Sequence, residues 1–438
     1  MSNTTRMPPD LLSMPNEIIA RPISNLRLTC KAFYAPATKE LAQRFLSEPH
    51  VMMTRYSLEA LVEICKHPLF GPHVRGIAFD CCRLNLVLFD DINSRLKTLL
   101  TDKDLMARTQ ARKEMSLYLD LCEQEQSLQQ TGEASRLIRD AFGSLRRYGN
   151  TVKMNIESEA IGHYGLYPIG YHKFPRHNND DWDFVMEAKE IPSTFLMMLE
   201  AADTSGCEIS SLKIEAWGFD HYDTCPDLSN VRIAFKALIA LTELNLNASP
   251  GPLEDGLDRI LEATLPFANR LQKINFDFDD DAENGPSLLT LASVARILGS
   301  VNSDELLQLE LSSARVRKAD LLKVLGQQKK NLKQVILTNL ALAGSWVQLL
   351  SWIRDNLSLD RLVISRVLKL DEQDLNEHGD GRPTLWLRGG FDIRGPANMQ
   401  PALEKFLAQK RKELAGDEDH GLGEYDIRDR DGQPKVIG

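Results

Sequence analysis

Three groups of residues carry side chains that could bind a metal ion. The first is His172, His177, Asp181 and Asp183, the second is Cys207, His221 and Cys225, and the third is the acidic run Asp277, Asp279, Asp280 and Asp281. The first group fits no single helix face and has no closely spaced ligand pair, and the second lacks a fourth zinc ligand. The third lacks the glycine and the bidentate glutamate of a calcium-binding loop. The spacing therefore favours ordinary loop residues, and we expect no metal or other cofactor.

Catalytic signatures were sought along the whole sequence. It contains no Gly-x-Ser-x-Gly, no Gly-x-x-x-x-Gly-Lys, no Gly-x-Gly-x-x-Gly after a strand and no His-Glu-x-x-His. Each of these patterns is required for a particular chemistry, from nucleophilic attack to phosphate binding. The sequence therefore predicts that the protein is not an enzyme.

Composition and charge narrow the classes of partner. The chain has 438 residues, of which 43% are hydrophobic and 26% charged, and its formal net charge is −10. An acidic balance argues against a nucleic-acid surface and against binding to anionic membranes. The first residues lack the apolar core of a signal peptide, and no apolar run reaches the length of a membrane span. Seven cysteines without a Cys-x-x-Cys pair are typical of a reducing compartment. We therefore expect a cytoplasmic or nuclear protein.

The elements that would position any binding residues are set by a recurring motif in the second half of the chain. Six segments share the pattern apolar-x-x-apolar-x-apolar, with first residues Ile209, Leu241, Leu271, Leu306, Leu332 and Leu359, at intervals of 32, 30, 35, 26 and 27. The last two apolar positions are separated by one polar or exposed residue, which indicates a strand that is buried on one face. Helical spacing follows the motif, as at Leu288, Leu291, Val294, Ile297 and Leu298. The pattern predicts an α/β fold of stacked strand-helix units.

This recurrence resembles an irregular leucine-rich repeat array. Regular members of that class place Asn or Cys eight residues after the first Leu, whereas the corresponding positions here are Trp217, Ser249, Asp279, Ala314, Leu340 and Val367. Chance recurrence in a Leu-rich α/β protein is the alternative interpretation. In the array, residues between the strand leucines would form a concave binding surface. We expect a protein substrate, whose identity the sequence does not give, to bind near Trp217, Ile336 and Val363.

The N-terminal residues resemble a second family, the F-box proteins of fungi. The matching residues are Met14, Pro15, Glu17, Ile18 and Ile19, followed by the string Ile-Ser-Asn-Leu-Arg-Leu-Thr-Cys-Lys-Ala-Phe from Ile23 to Phe33. Local helix signals predict three short helices here, the third opening at Pro36, and the resemblance implies that this segment docks onto the linker subunit of a cullin-type (SCF) ubiquitin ligase. By the same resemblance the contact residues would be Pro15, Ile18, Ile19, Ile23, Leu26 and Leu28.

One departure from that family concerns the distance between the first two helices. Family members carry roughly eight more residues there, about two helical turns. In this sequence Ala20, Arg21 and Pro22 join the helices directly. Two lost apolar contacts, at roughly 2 kcal/mol each, would weaken the linker contact by about a thousandfold. Two functions follow as alternatives, a ligase substrate adaptor or a protein-binding scaffold of the same fold without ligase coupling. A plain helical cap is the bland alternative for the segment itself.

The sequence thus predicts three regions. Residues 1–50 form the shortened F-box-like segment, and residues 51–395 form the array. The array has a helical insertion at about 101–148 and an aromatic loop insertion at about 157–208. Residues 396–438 form a short helix and a charged, disordered tail. The array includes early strands near Val74 to Phe79 and at 151–156, and ends in a strand at 383–395.

Overall fold

The protein is described by a computed structural model over the residue ranges 31–84, 105–157, 169, 186–188, 191–216, 236–248, 256–278, 290–370, 384–415 and 436–437. It is a mixed α/β structure with parallel strands and helices, as the sequence predicts at that level. The chain divides into two compact units. The first comprises residues 1–189 with 197–208, and the second comprises residues 190–196 with 209–438. The division falls within a helix at Ile191–Ser205.

The first unit contains short strands and long helices. Its elements, in chain order, are α1 (Lys31–Phe45), β1 (His50–Met52), α2 (Arg55–Lys66), β2 (Gly76–Asp80), β3 (Cys82–Leu84), α3 (Leu105–Gln130), α4 (Glu133–Arg147), β4 (Val152–Glu157) and β5 (Met186–Ala188), followed by α5 (Ile191–Ser205), which the division crosses. Strands β1, β2 and β4 pair in parallel, and β3 pairs antiparallel with β5. The predicted strands at Val74–Phe79 and 151–156 are therefore confirmed as β2 and β4.

The core of the first unit lies where α2 contacts α4. Both helices bury one apolar stripe, from Leu58 to Cys65 on α2 and from Leu137 to Leu145 on α4. Thr54 caps α2, because its hydroxyl accepts a hydrogen bond from the Ser57 amide at 3.3 Å. Gly132, with φ at 68°, separates α3 from α4. The region predicted as a helical insertion is therefore helical, as α3 and α4, and α4 packs one face into the core.

Helix α1 corrects one detail of the N-terminal prediction. A helix opening at Pro36 was expected, but α1 covers Lys31–Phe45 without interruption, with Pro36 inside it. A proline inside a helix removes one backbone hydrogen bond and crowds the carbonyl four residues earlier, yet the helix continues through this position. The residues expected to contact the ligase linker, from Pro15 to Leu28, lie outside the described ranges. The aromatic loop insertion also lies largely outside them.

The second unit carries the six recurring motifs. Its elements are β6 (Ile209–Ala216), β7 (Glu243–Ala248), α6 (Asp258–Thr264), β8 (Lys273–Asp277), α7 (Thr290–Ser300), β9 (Gln308–Ser312), β10 (Arg315–Arg317), α8 (Lys318–Gln327), β11 (Gln334–Thr338), β12 (Ala341–Ala343), α9 (Trp346–Asn356), β13 (Arg361–Leu370), β14 (Thr384–Arg394), α10 (Pro396–Ala415) and β15 (Val436–Ile437). Each motif coincides with one of β6, β7, β8, β9, β11 and β13. These strands are parallel neighbours in that order.

The register places the motif side chains in continuous buried rows. One row runs through Leu212, Leu244, Ile274, Leu309, Val335 and Leu362, and the next through Ile214, Leu246, Phe276, Leu311, Leu337 and Ile364. All twelve side chains are at most 1% exposed. Helices α6 to α9 contact one another in sequence, as one layer. Right-handed connections between successive parallel strands put their helices on one side, so this layer covers the apolar rows.

The same left-handed backbone turn follows β9 and β11 and recurs inside β13. Ser313, Asn339 and Arg366 have φ values of 53°, 49° and 50°. The amide of Ser313 donates to the carbonyl of Thr338 at 3.0 Å, and that of Asn339 to the carbonyl of Ser365 at 2.9 Å. Beyond the turns β10, β12 and the end of β13 form a second parallel group. The turns therefore stack, and each redirects the chain after its strand.

The last long strand runs in the opposite direction. The predicted strand at 383–395 is confirmed as β14, which pairs antiparallel with β13. Gly390 is needed there, because a Cβ at that position would lie 2.7 Å from the carbonyl oxygen of Ile364. The helix expected at 401–414 is present as α10, which begins earlier, at Pro396. Trp386 on β14 stacks on Trp346 with ring centroids 5.7 Å apart. Within the described part of the chain, no helix is both long and apolar enough to cross a bilayer.

Candidate functional site

On the second unit's sheet, the side opposite the apolar rows carries a mainly polar surface, which we term the polar face. Three rows of residues make up this face. The first row is Ser211, Glu243, Lys273, Gln308, Gln334, Arg361 and Arg394; the second is Lys213, Asn245, Asn275, Glu310, Ile336, Val363 and Asp392; and the third is Glu215, Asn247, Asp277, Ser312, Thr338, Ser365 and Gly390. The face exists because every second residue of each strand points away from the core.

At the β6 to β8 end the polar face combines one ion pair with amides. The Lys213 Nζ atom lies 2.6 Å from an oxygen of Glu215, which is 4% exposed. Asn245 and Asn275 are directly paired on the neighbouring strands β7 and β8. Carboxamides can both donate and accept hydrogen bonds. This end can therefore form hydrogen bonds with both donors and acceptors of a partner.

The β13 to β14 end holds one buried carboxylate between two arginines. Asp392 is 3% exposed. Arg361 donates to both of its oxygens, from Nε at 3.1 Å and from Nη2 at 3.0 Å. Arg394 donates to Oδ2 from Nε at 2.9 Å and from Nη2 at 2.7 Å. Burial alone would raise the pKa of the Asp392 carboxyl, but the hydrogen bonds and charges of the two guanidinium groups outweigh it and lower that pKa. We term these three residues the Arg–Asp–Arg cluster.

Glu310 lies in the middle of the face and shows the opposite behaviour. Burial raises the pKa of its carboxyl, and the neighbouring Asp277 adds to the effect, although Gln308 and Arg361 oppose it. Its one hydrogen bond from Gln308 is long, at 3.4 Å. The carboxylate form of Glu310 is therefore poorly supported by its surroundings.

The three residues predicted to contact a substrate have different outcomes. Ile336 and Val363 are on the polar face and directly paired, as the register requires. They are only 9% and 7% exposed. They therefore form an apolar floor rather than a projecting contact. Trp217 lies outside the described residues. A binding role for the three residues stays a prediction.

The Arg–Asp–Arg cluster was not predicted from the sequence. Arg361 lies between the apolar positions of the last motif, where the sequence predicts the binding surface, whereas Asp392 and Arg394 lie outside the six motifs. The available signal was the alternation of Phe391, Asp392, Ile393 and Arg394, in which charged residues occupy every second position of an apolar strand. What brings the cluster together is the antiparallel pairing of β14 with β13.

Metal-ligating and nucleophilic side chains do not form a further site in the described part of the chain. No cluster of three or more His, Cys, Asp or Glu side chains there is arranged to hold a metal ion. Burial raises the pKa of the Cys65 thiol to about 12, and that of Cys207 to about 12 as well. Neither thiol is then a nucleophile near neutral pH, because the thiolate is the reactive form. A shallow polar depression in the first unit is lined by Arg55, Asp120, Glu123, Gln124 and Ser127.

Comparison with known proteins adds no family. A scan against protein-family models gave no match. A search of curated proteins also gave no match. The function must therefore be argued from the residues themselves.

Proposed function

We propose that this chain is a non-catalytic adaptor that recognises another protein through the polar face of its second unit. The observation that carries the proposal is the continuity of that face. It extends over seven paired strands, from β6 to β14, while the motif rows on the opposite side of β6, β7, β8, β9, β11 and β13 are buried. A wide surface with closely spaced polar groups suits a polypeptide better than a small molecule.

We further propose that the strand-helix units form an irregular leucine-rich repeat solenoid. Support comes from the three stacked turns at Ser313, Asn339 and Arg366, which recur at the intervals of 26 and 27 residues found between the last motifs. In such arrays each unit contacts only its neighbours, and the strand side presents the binding surface. The absence of the Asn or Cys ladder is compatible with this fold, because a left-handed residue makes each of these turns instead.

Coupling to a cullin-type ubiquitin ligase is the second part of the proposal. Its support is the resemblance of residues 14–33 to the F-box, in which Pro15, Ile18, Ile19, Ile23, Leu26 and Leu28 would contact the linker subunit and, through it, the cullin. The shortened junction at Pro22 supports the alternative, a scaffold of the same fold without ligase coupling. Both versions share the polar face and differ only in the N-terminal contact.

A binding measurement with the purified linker subunit separates these versions. The full chain would be compared with a double variant, Ile18→Asp with Ile19→Asp, because a charge at a buried apolar contact is strongly unfavourable. A matched control, Asn245→Arg with Asn275→Arg, changes the polar face and leaves the N-terminus unaltered. Binding that is lost in the first variant and kept in the control supports the adaptor. Absence of binding at micromolar linker concentration supports the scaffold.

Recognition through the polar face needs its own test. Proteins captured by the wild-type chain would be quantified against those captured by Asn245→Arg with Asn275→Arg, and by Lys323→Glu on the exposed side of α8 as a control. We expect a defined set of proteins to be lost only with the polar-face variant. Capture that is identical for all three chains would contradict the proposal.

A further inference from the structure

The Arg–Asp–Arg cluster has hydrogen-bonding capacity that its internal contacts do not use. A guanidinium group carries five N–H donors and no acceptor. Arg361 and Arg394 each direct their Nε and one Nη2 hydrogen to Asp392. Within the described residues, the Nη1 groups of both arginines have no hydrogen-bond partner. The side chains remain 36% and 54% exposed, so these donors are accessible.

The cluster also holds the two arginines in fixed positions. Long arginine side chains normally lose considerable rotamer entropy when they bind a partner. Here the buried carboxylate of Asp392, which is 3% exposed, already restrains both of them. A pair of guanidinium groups that is oriented before the partner arrives is the arrangement used to recognise planar oxyanions.

The charge of the surroundings selects among oxyanions. Two guanidinium groups and one carboxylate leave a net charge of +1 at the cluster. Glu310 lies close enough for its carboxyl to be influenced by the charge of Arg361. A phosphate dianion would therefore face two nearby carboxyl groups and only one uncompensated positive charge. A single carboxylate matches that charge, and a planar one matches the geometry of the guanidinium group.

We propose that the Arg–Asp–Arg cluster is the anchor for an acidic side chain, Asp or Glu, of the protein that binds the polar face. This inference rests on the proposed function, since it names the chemistry of that partner. Asp392 is a positioning residue, and Arg361 and Arg394 make the contact. Ile336 and Val363, which form the apolar floor, lie in the same row as Asp392 on the neighbouring strands β11 and β13. They would contact an aliphatic group of the partner beside its acidic side chain.

The chain's own C-terminus is the competing occupant. Residues 416–435 contain seven acidic and three basic side chains. The strand that follows, β15, pairs with β14 at Asp392 and Ile393. An acidic residue supplied in cis would satisfy the same donors. A chain that ends at Ala415 therefore belongs in the test.

Selection from a phage-displayed library of random dodecapeptides tests the inference without knowledge of the natural partner. Wild-type full-length chain would be panned beside Arg394→Gln and Arg394→Lys, with folding of each checked by thermal melting. We expect one Asp or Glu position to be enriched on the wild type and lost on Arg394→Gln. Affinity of a selected peptide should fall roughly 10- to 100-fold in Arg394→Gln and less in Arg394→Lys. It should also weaken as salt is raised.

The outcomes separate this inference from the proposed function. Selected peptides that need Asn245 and Asn275 but show no acidic position would overturn the anchor and leave the polar face intact. Failure to enrich any peptide, on both the full chain and the chain ending at Ala415, would count against both. Enrichment of acidic peptides only on the shortened chain would assign the anchor to the C-terminal tail instead of a partner.

Discussion

The two sides of the second unit's sheet are built from the same strands but differ in how uniform their residues are. The buried side is uniform. Its motif positions all hold aliphatic residues except Phe276, and each is at most 1% exposed. The polar face changes along the sheet, from an ion pair and amides at β6 to β8 to the Arg–Asp–Arg cluster at β13 and β14. The difference shows that stability is distributed evenly over one side, whereas the means of recognition are concentrated at particular positions on the other.

The largest expected effect contrasts the two sides on a single strand. Leu337→Ala removes a fully buried side chain from β11, so unfolding free energy should fall by about 2–5 kcal/mol. Gln334→Ala, on the polar face of the same strand, should change it by less than about 0.5 kcal/mol. Urea denaturation measures both. Equal losses of unfolding free energy in the two variants would show that the polar face is packed as tightly as the buried side, which contradicts the proposed difference between them.

Asp392 is the polar-face residue expected to behave most like a core residue. Asp392→Asn should cost about 1–3 kcal/mol at neutral pH, because it removes the negative charge and replaces one of the two acceptor oxygens with an NH2 group that faces guanidinium donors. The folded-state pKa of Asp392 is lowered, so its contribution is present above the unfolded value of 3.8 and is lost as pH falls through the folded pKa. The unfolding free energy of the Asp392→Asn variant should therefore fall less than that of the wild type as the pH is lowered.

A matched aspartate controls for the Asp392 experiment. Asp355 is paired with Arg354 but is 55% exposed, so Asp355→Asn should leave the denaturation midpoint nearly unchanged. The measurement is the urea midpoint of all three chains between pH 7 and pH 3. If the urea midpoints of wild type and Asp392→Asn change in parallel with pH, ionisation of Asp392 does not contribute to stability.

The stacked turns should be sensitive to backbone conformation rather than to side-chain loss. Asn339 has φ at 49°, a region that costs a β-branched residue about 1–2 kcal/mol. Asn339→Val should therefore destabilise by that amount, whereas Asn339→Gly should stay within a few tenths of a kcal/mol. Thermal melting of the two variants provides the comparison. A larger loss for the glycine variant would mean that the amide group, not the turn, is what the position requires.

The smallest effect is expected at Glu310 and has the opposite sign. Because its folded-state pKa is raised, ionisation of Glu310 opposes folding at neutral pH. Glu310→Gln should stabilise the protein at pH 7 by up to about 0.5 kcal/mol. The gain should vanish below the unfolded pKa, where the wild-type carboxyl is protonated in both states. Destabilisation at pH 7 would show instead that the carboxylate makes a needed contact.

The sequence predicted much of the second unit because its signals are local. Alternation such as Leu309, Glu310 and Leu311 specifies both a strand and the side that is buried, and all six motifs are strands in sequence order. The Arg–Asp–Arg cluster depends instead on which strand lies beside β13 and in which direction. That information is not contained in the spacing of either strand, since Arg361 and Asp392 meet only through antiparallel register. The contact residues of the F-box-like segment lie outside the described ranges, so that part of the reading stays a prediction.

The reversal at β14 has a consequence for assembly. Each parallel strand before it offers the next unit an edge of the same polarity, and a row of such edges can in principle grow without limit. Inverting the final strand replaces that edge with one of opposite polarity, and β15 occupies part of it. A parallel strand of a second copy would meet an antiparallel edge here, partly covered by β15, so β14 caps the parallel series on this side of the sheet.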